Sequence, residues 1–240
     1  MKDEAGCRFA FEQAKKIGAS VVQVSGTPVL LNNPALLKSL SDEYGIEVCV
    51  THSPFERIAN DIDALCQEHL LYGCHEIGIG AMPREYRDNK FARIGEFTDI
   101  LNSSIKKAAE YGVTIAYHNH DFENDDVDGK TVFDHLRQDT AVNFIPDVFW
   151  LKVCGLDVCA YLKELEGRVN TVHYKDYKKF LFRPIYTTVG KGKLDFAAID
   201  KTVREMGVKN AVIEIDIAKN PLKSVTQSMQ YIERFKRPED

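Results

Sequence analysis

Nowhere in these 240 residues does an apolar run approach the roughly 20 side chains that span a bilayer. No charged-then-apolar leader with a cleavage site opens the sequence either, so neither a membrane partner nor secretion is expected. Basic charge is also short: 31 Lys and Arg face 36 Asp and Glu, a net charge of −5. Affinity for nucleic acid rests largely on phosphate neutralisation, so a nucleic-acid partner is not expected. The 6 cysteines include no close CxxC pair. Most fall inside apolar patterns and read as reduced, buried thiols of a cytoplasmic protein. No GxGxxG or GxxxxGK[ST] loop follows any apolar run, which removes support for a nucleotide-binding open sheet. No low-complexity tract or linker divides the sequence, so residues 1–240 read as one domain.

What is present is a regular alternation. Helical patterns end at Gly18, Gly45, Gly73, Gly112, Gly167 and Gly207, and a strand-like run soon follows each glycine. Those runs include Val21-Val22-Gln23-Val24, Ile46-Glu47-Val48-Cys49-Val50 and Glu76-Ile77-Gly78-Ile79. Asn33-Pro34 supplies an N-cap and a first-turn proline, and Asp157 and Asp195 precede helical runs as caps. Apolar residues recur at helical spacing through Leu36, Leu37, Leu40 and Tyr44, and again through Ile94, Phe97, Leu101, Ile105 and Ala108. Strands that alternate with helices and carry continuous apolar runs imply a parallel sheet covered on both faces. The length suits an α/β chain folded as a (β/α)8 TIM-type barrel. The pattern nevertheless begins with a helix near residues 4–17 and yields seven strands, so the barrel is expected to lack its first strand and to be open at one seam. Residues 177–195 are too many for a simple βα loop and are expected at the mouth of a site.

Four of the apolar runs end in residues that bind metals: His118, Asp147, His173 and Glu214. The carboxyl ends of successive parallel strands lie side by side, so residues about thirty positions apart converge. Two imidazoles with two carboxylates suit one divalent ion, Mn²⁺, Co²⁺, Zn²⁺ or Fe²⁺ in preference to Mg²⁺. Glu214 stands inside an apolar strand, where an unpaired carboxylate is strongly unfavourable. Period-two alternation puts His120 on the face of His118, Lys175 on that of His173 and Asp216 on that of Glu214. These become acid/base or supporting candidates, with Phe149 or Trp150 as a wall. His120 is also an alternative to His118 as ligand, and Lys175-Asp176 reads equally as a surface ion pair with a helix cap. His52 falls at the same rim, whereas His69, His75 and His135 read as structural.

Five ordered strings carry a resemblance: Tyr117-His118-Asn119-His120-Asp121-Phe122-Glu123, Pro146-Asp147-Val148-Phe149-Trp150, Val172-His173-Tyr174-Lys175-Asp176, Val189-Gly190-Lys191-Gly192-Lys193-Leu194-Asp195-Phe196 and Val212-Ile213-Glu214-Ile215-Asp216. Together they resemble the xylose-isomerase-like TIM barrels, the sugar phosphate isomerase and epimerase family, from about residue 8 onward. The resemblance implies metal ligands at Asp147, His173 and Glu214. It puts His118 where the family more often has a glutamate, and Lys191 where a glutamate is common. A neutral imidazole ligand does not readily take a proton, so the family's two-glutamate epimerisation is not the expected route.

The resulting expectation is a divalent-metal-dependent isomerase or epimerase of a small sugar or keto-sugar, acting through an enediolate. Glu214 would be ligand and base, and Lys175 or His120 would handle the second proton. The alternatives are a lyase or dehydratase on a keto-sugar or cyclitol, and a non-catalytic homologue. A metal-dependent endonuclease is not expected, for want of a basic face and a richer ligand cluster. A homodimer covering the open seam is a further expectation.

Overall fold

The computed structural model describes residues 2–181 and 183–235. Among these, seven parallel strands follow one another around a barrel: β1 (Val21–Val24), β2 (Glu47–His52), β3 (Glu76–Ile79), β4 (Thr114–His118), β5 (Asn143–Ile145), β6 (Thr171–Tyr174) and β7 (Asn210–Ile213). Strands β1 to β5 form a continuous ladder in chain order. Single bridges at Phe144–Val169 and Asp147–His173 attach β6, which pairs in turn with β7. β7 and β1 come within 8 Å of one another, Cα to Cα, but share no ladder among the described residues. That is the open seam expected of a barrel whose pattern starts with a helix.

Eight helices, one before β1 and one after each strand, surround the barrel among shorter or kinked ones: α1 (Glu4–Lys16), α2 (Pro34–Tyr44), α3 (Ile62–Leu71), α4 (Ile94–Ala109), α5 (Val132–Asp139), α6 (Val158–Glu164), α7 (Phe196–Glu205) and α8 (Pro221–Ile232). Their starts follow the expected chemistry. Asn33 Oδ1 accepts from Leu36 N at 3.1 Å, Asp157 Oδ1 from Ala160 N at 3.0 Å, and Asp195 Oδ1 from Ala197 and Ala198 N at 3.1 Å each. Gly45 closes α2 at φ 59°, a left-handed conformation that a side chain would strain. Leu37 and Leu40 of α2 pack with Cys7 and Phe11 of α1 onto Val24 and Val48 of the barrel. Each fully buried leucine there contributes about 1.5–3 kcal/mol relative to exposure. All six cysteines are free thiols.

Residues 177–195 are more ordered than a long loop. Asp176–Phe180 and Arg183–Thr187 form an antiparallel hairpin that pairs Tyr177 with Tyr186. Phe182 lies outside the described residues. A second, smaller hairpin joins Asp126–Val127 to Lys130–Thr131, with Asp128 and Gly129 both at positive φ. No helix of the described residues is long and apolar enough to cross a membrane.

Candidate metal centre

Strand alternation builds the site one layer above an apolar floor. Val50, Ala116 and Ile145, on β2, β4 and β5, form a small buried cluster inside the barrel. Two residues further along the same strands, on the same face, come His52, His118 and Asp147. Thr171 and Val212 lead in the same way to His173 and Glu214. One donor atom from each of His118, Asp147, His173 and Glu214 lies within 4.8 Å of the other three. The first three residues are buried and Glu214 is half-buried. The four positions singled out from the sequence therefore do meet at one point.

Each ligand candidate is aimed by a neighbour. His118 Nδ1 lies 3.1 Å from the Gly80 carbonyl, which only accepts, so Nδ1 carries the proton and Nε2 offers a lone pair. Asp147 caps the short helix Val148–Val153, its Oδ1 accepting from Phe149 N at 2.9 Å and Trp150 N at 3.4 Å. The capping reading of Asp147 thus uses one oxygen and leaves the other available as a ligand. The remaining oxygen, Oδ2, and His118 Nε2 are buried with no hydrogen-bond partner. They face one another at 3.5 Å. Two donors on one ion at metal–ligand distances of about 2.0–2.2 Å stand roughly this far apart. Apart from the Lys175 ammonium 3.4 Å from Oδ2, no hydrogen-bond donor or acceptor among the described residues meets this orphaned pair. Buried polar atoms are rarely left so, and the arrangement is what a cation site looks like. The residues present fit a divalent ion.

Charge agrees with geometry. Lys175 Nζ is buried beside three carboxylates: Asp216 Oδ2 at 2.6 Å, Asp147 Oδ2 at 3.4 Å and Glu214 Oε2 at 3.5 Å. Ionised, the three leave two negative charges beyond the ammonium, which one divalent ion would neutralise. Burial opposes the Lys175 charge, but the three acids outweigh it and raise its pKa. Burial likewise opposes ionisation of Glu214, yet the His173 hydrogen bond and the positive neighbours hold it well below the usual carboxylate range. Burial pushes Asp147 the other way, upward. The rings of Tyr186, Trp150 and Phe149 stand 5.0–5.8 Å from the Lys175 ammonium, and Phe149 and Trp150, expected as a wall of the pocket, do not line the open cleft above the site.

His120 is brought to the same place but does not replace His118. Its ring meets that of His118 edge-on at 4.8 Å and stacks on Phe122 at 5.5 Å, and burial lowers its pKa. A cleft of about 600 Å³ opens above, lined by Ser25, Thr27, His52, His118, His120 and Glu214 among others. His52 lies at that rim, as the spacing predicts. His69 instead bonds Thr51 and Leu65 at 2.8 and 2.7 Å, His75 lies 3.3 Å from the Gly112 carbonyl, and His135 is held by Asp139 and Val127. Lys191 turns away to Gln227 at 2.5 Å.

The surface ion-pair reading of Lys175-Asp176 is corrected, because both residues are buried. Asp176 is instead an anchor: its two oxygens accept from the backbone N–H groups of Tyr177, Gly190, Gly192, Lys193 and Leu194 at 2.8–3.2 Å. A Cβ on Gly192 would overlap Asp176 Oδ1, so glycine is required for this approach.

Three contributing residues escape sequence reasoning. Gln23 Oε1 contacts His173 Nε2 at 2.6 Å, and Asn119 Oδ1 accepts from Asp147 N at 2.9 Å. Glu123, 1% exposed, accepts from Tyr117 Oη at 2.5 Å and His120 N at 2.7 Å, pinning the loop that carries His120. The one available signal is Gln23 itself, a lone polar residue in an apolar strand.

Burial raises Glu123 to about 7. Its folded pKa thus exceeds the unfolded value, so its contribution to stability is present below about pH 4.5 and is lost as pH rises through 7. The difference amounts to about 3 kcal/mol. Denaturant melts should show parent stability falling relative to Glu123→Gln between pH 5 and 8. Parallel profiles would refute the assignment.

The chain belongs to the xylose isomerase-like TIM barrel family, whose sequence model matches residues 11–235. No curated protein matches it in sequence. Among solved structures, a sugar phosphate isomerase/epimerase from Parabacteroides distasonis superposes with a TM-score of 0.76 at 19% identity, covering 97% of this chain and 92% of that one. D-Psicose 3-epimerase from Clostridium cellulolyticum gives 0.71 at 12% identity, covering 98% and 94%. A probable 3-DHS dehydratase from Bacillus anthracis gives 0.70 at 13% identity, covering 97% and 99%. At such identities the likeness establishes the barrel fold and leaves the reaction to the site.

Proposed function

We propose that the chain is a divalent-metal-dependent isomerase or epimerase of a small sugar or keto-sugar, working through an enediolate. The observation that carries this is the orphaned pair, His118 Nε2 and Asp147 Oδ2, beside Glu214 under an open cleft. A divalent ion held by His118, Asp147, His173 and Glu214 would polarise a substrate carbonyl and stabilise the negative charge that develops when the neighbouring carbon loses its proton.

The chain's own groups divide the proton work. Glu214 is ionised and lines the cleft, and its contacts with His118, His173 and Lys175 run to Oε2. Its Oε1 is therefore the oxygen that takes the substrate proton. Lys175, kept charged, is a donor and not a base, and it steadies the developing oxyanion. His120, kept neutral, is positioned at the cleft to exchange the second proton.

A dehydratase reading is favoured by one observation. His118, with its Nδ1–H held by Gly80, offers no second carboxylate. One base, Glu214, and one acid, Lys175, are what elimination of a β-hydroxyl requires.

Incubation of Mn²⁺- or Co²⁺-loaded protein in D₂O with a panel of free ketoses and keto-cyclitols separates these readings. Deuterium entering the carbon next to the carbonyl, with the sugar otherwise intact or epimerised, is the expected result. An absorbing enone product would establish the dehydratase instead. No exchange and no elimination across the panel would refute both.

A further inference from the structure

β1 reads Val21-Val22-Gln23-Val24, and Gln23 reaches across the open seam to β6. Its Oε1 lies 2.6 Å from His173 Nε2, and its Nε2 lies 3.1 Å from His52 Nε2. His52 Nδ1 in turn lies 3.1 Å from Ser25 Oγ. On the far side of the His173 ring, Nδ1 faces Glu214 Oε2 at 2.9 Å. His173 is 0% exposed, so water does not substitute for these partners.

A carboxamide has an accepting end and a donating end. With Oε1 towards His173, Nε2 of that ring must carry a proton, and the proton that Nδ1 donates to the Glu214 carboxylate is the one an entering ion would displace. With the amide turned over, Nε2 would become the acceptor, and Nδ1 would hold the ring's last proton and could not ligate without losing it. The orientation of one amide therefore decides whether His173 is a ligand. His52 completes the arrangement, because its Nε2 accepts the amide proton that would otherwise be buried unpaired.

We propose that Gln23 is a positioning residue for the metal centre, holding the His173 Nε2–H so that Nδ1 is the nitrogen left to ligate at the cluster. This rests on the reading of that cluster as a metal site.

The test compares the parent with Gln23→Met, which keeps length but loses the acceptor, and Gln23→Glu, which keeps an acceptor for Nε2–H. Co²⁺ is the probe, followed by its visible absorption and by competition with a chelator of known affinity. Gln23→Met is expected to bind Co²⁺ about 10- to 100-fold more weakly, the usual loss when the partner of a ligating imidazole is removed. Gln23→Glu is expected to bind at least as tightly as the parent, with both variants unfolding near the parent temperature when metal-free. Undiminished affinity in Gln23→Met, or equal weakening in both variants, would overturn the proposal. Long-range ¹H–¹⁵N spectra of the metal-free parent give an independent readout. A protonated His173 Nε2 is expected, and an unprotonated one overturns the role of Gln23 whether or not Co²⁺ binds. Failure of the parent to bind Co²⁺, with Nε2 protonated, would refute the metal reading and with it the positioning role.

Discussion

Metal-loaded Glu214→Gln protein is expected to exchange the substrate's α-proton about 10²–10⁴ times more slowly than the parent, the range over which a positioned base acts. The substitution preserves shape, so the half-buried side chain still fits beside His173 and Lys175. What it removes is the negative charge around which His118, His173 and Lys175 are gathered at 3.8, 2.9 and 3.5 Å. Elemental analysis of protein purified without chelator should find about one equivalent of Mn, Co, Zn or Fe per parent chain, from one site with four donors. As purified, Glu214→Gln and His173→Ala should both lose it, so exchange by the variant is measured with Mn²⁺ or Co²⁺ added in excess. If Glu214→Gln keeps its metal and loses exchange, Glu214 is base more than ligand. If it keeps exchange within tenfold of the parent, Glu214 is not the base.

Replacement of Asp176 should have the largest effect on stability. Its carboxylate is 0% exposed and gathers five backbone N–H groups from the hairpin start and the Gly190–Leu194 turn. Hydrogen bonds to a charged acceptor contribute roughly 1.5–3 kcal/mol each, and water will reach some of the freed donors. A loss of about 3–5 kcal/mol is therefore expected for Asp176→Ala in denaturant melts. Asp176→Asn should recover little, because its NH₂ would point at N–H groups. The hairpin also carries Tyr186 to the Lys175 ammonium. Loss of the anchor should thus raise KM as well as lower stability. A loss under about 1 kcal/mol, one ordinary hydrogen bond, would show that the turn holds itself.

The barrel was legible in the sequence because its causes are local. Continuous apolar runs, caps such as Asn33 and Asp195, and glycines such as Gly45 each act within a few residues. The convergence of His118, Asp147, His173 and Glu214 was legible for a related reason, since parallel strands place their carboxyl ends on one rim. Contacts between elements distant in sequence were not. Gln23 and His173 are 150 positions apart, and nothing in either local pattern specifies that an amide should meet an imidazole across the seam. Asp176 was misjudged because a carboxylate after a lysine resembles a solvated pair. Its actual partners are backbone donors, which carry no residue-type signal. The 176–187 hairpin was read only as a long mouth, since its charged and aromatic residues do not alternate as a half-buried strand would.

The two sides of the barrel contribute different parts of the site. The four donors come from β4 to β7, whereas most of the cleft wall comes from the turns that follow β1, β2 and β3, at Ser25–Pro28, His52–Phe55 and Gly80–Pro83. Substitutions in those first three turns, other than at Ser25 and His52, which support Gln23, can therefore reshape the cleft without touching the four donors. Inheritance can act on the two separately: a lineage that changes the molecule its cleft accepts needs only to rework the early half of the chain.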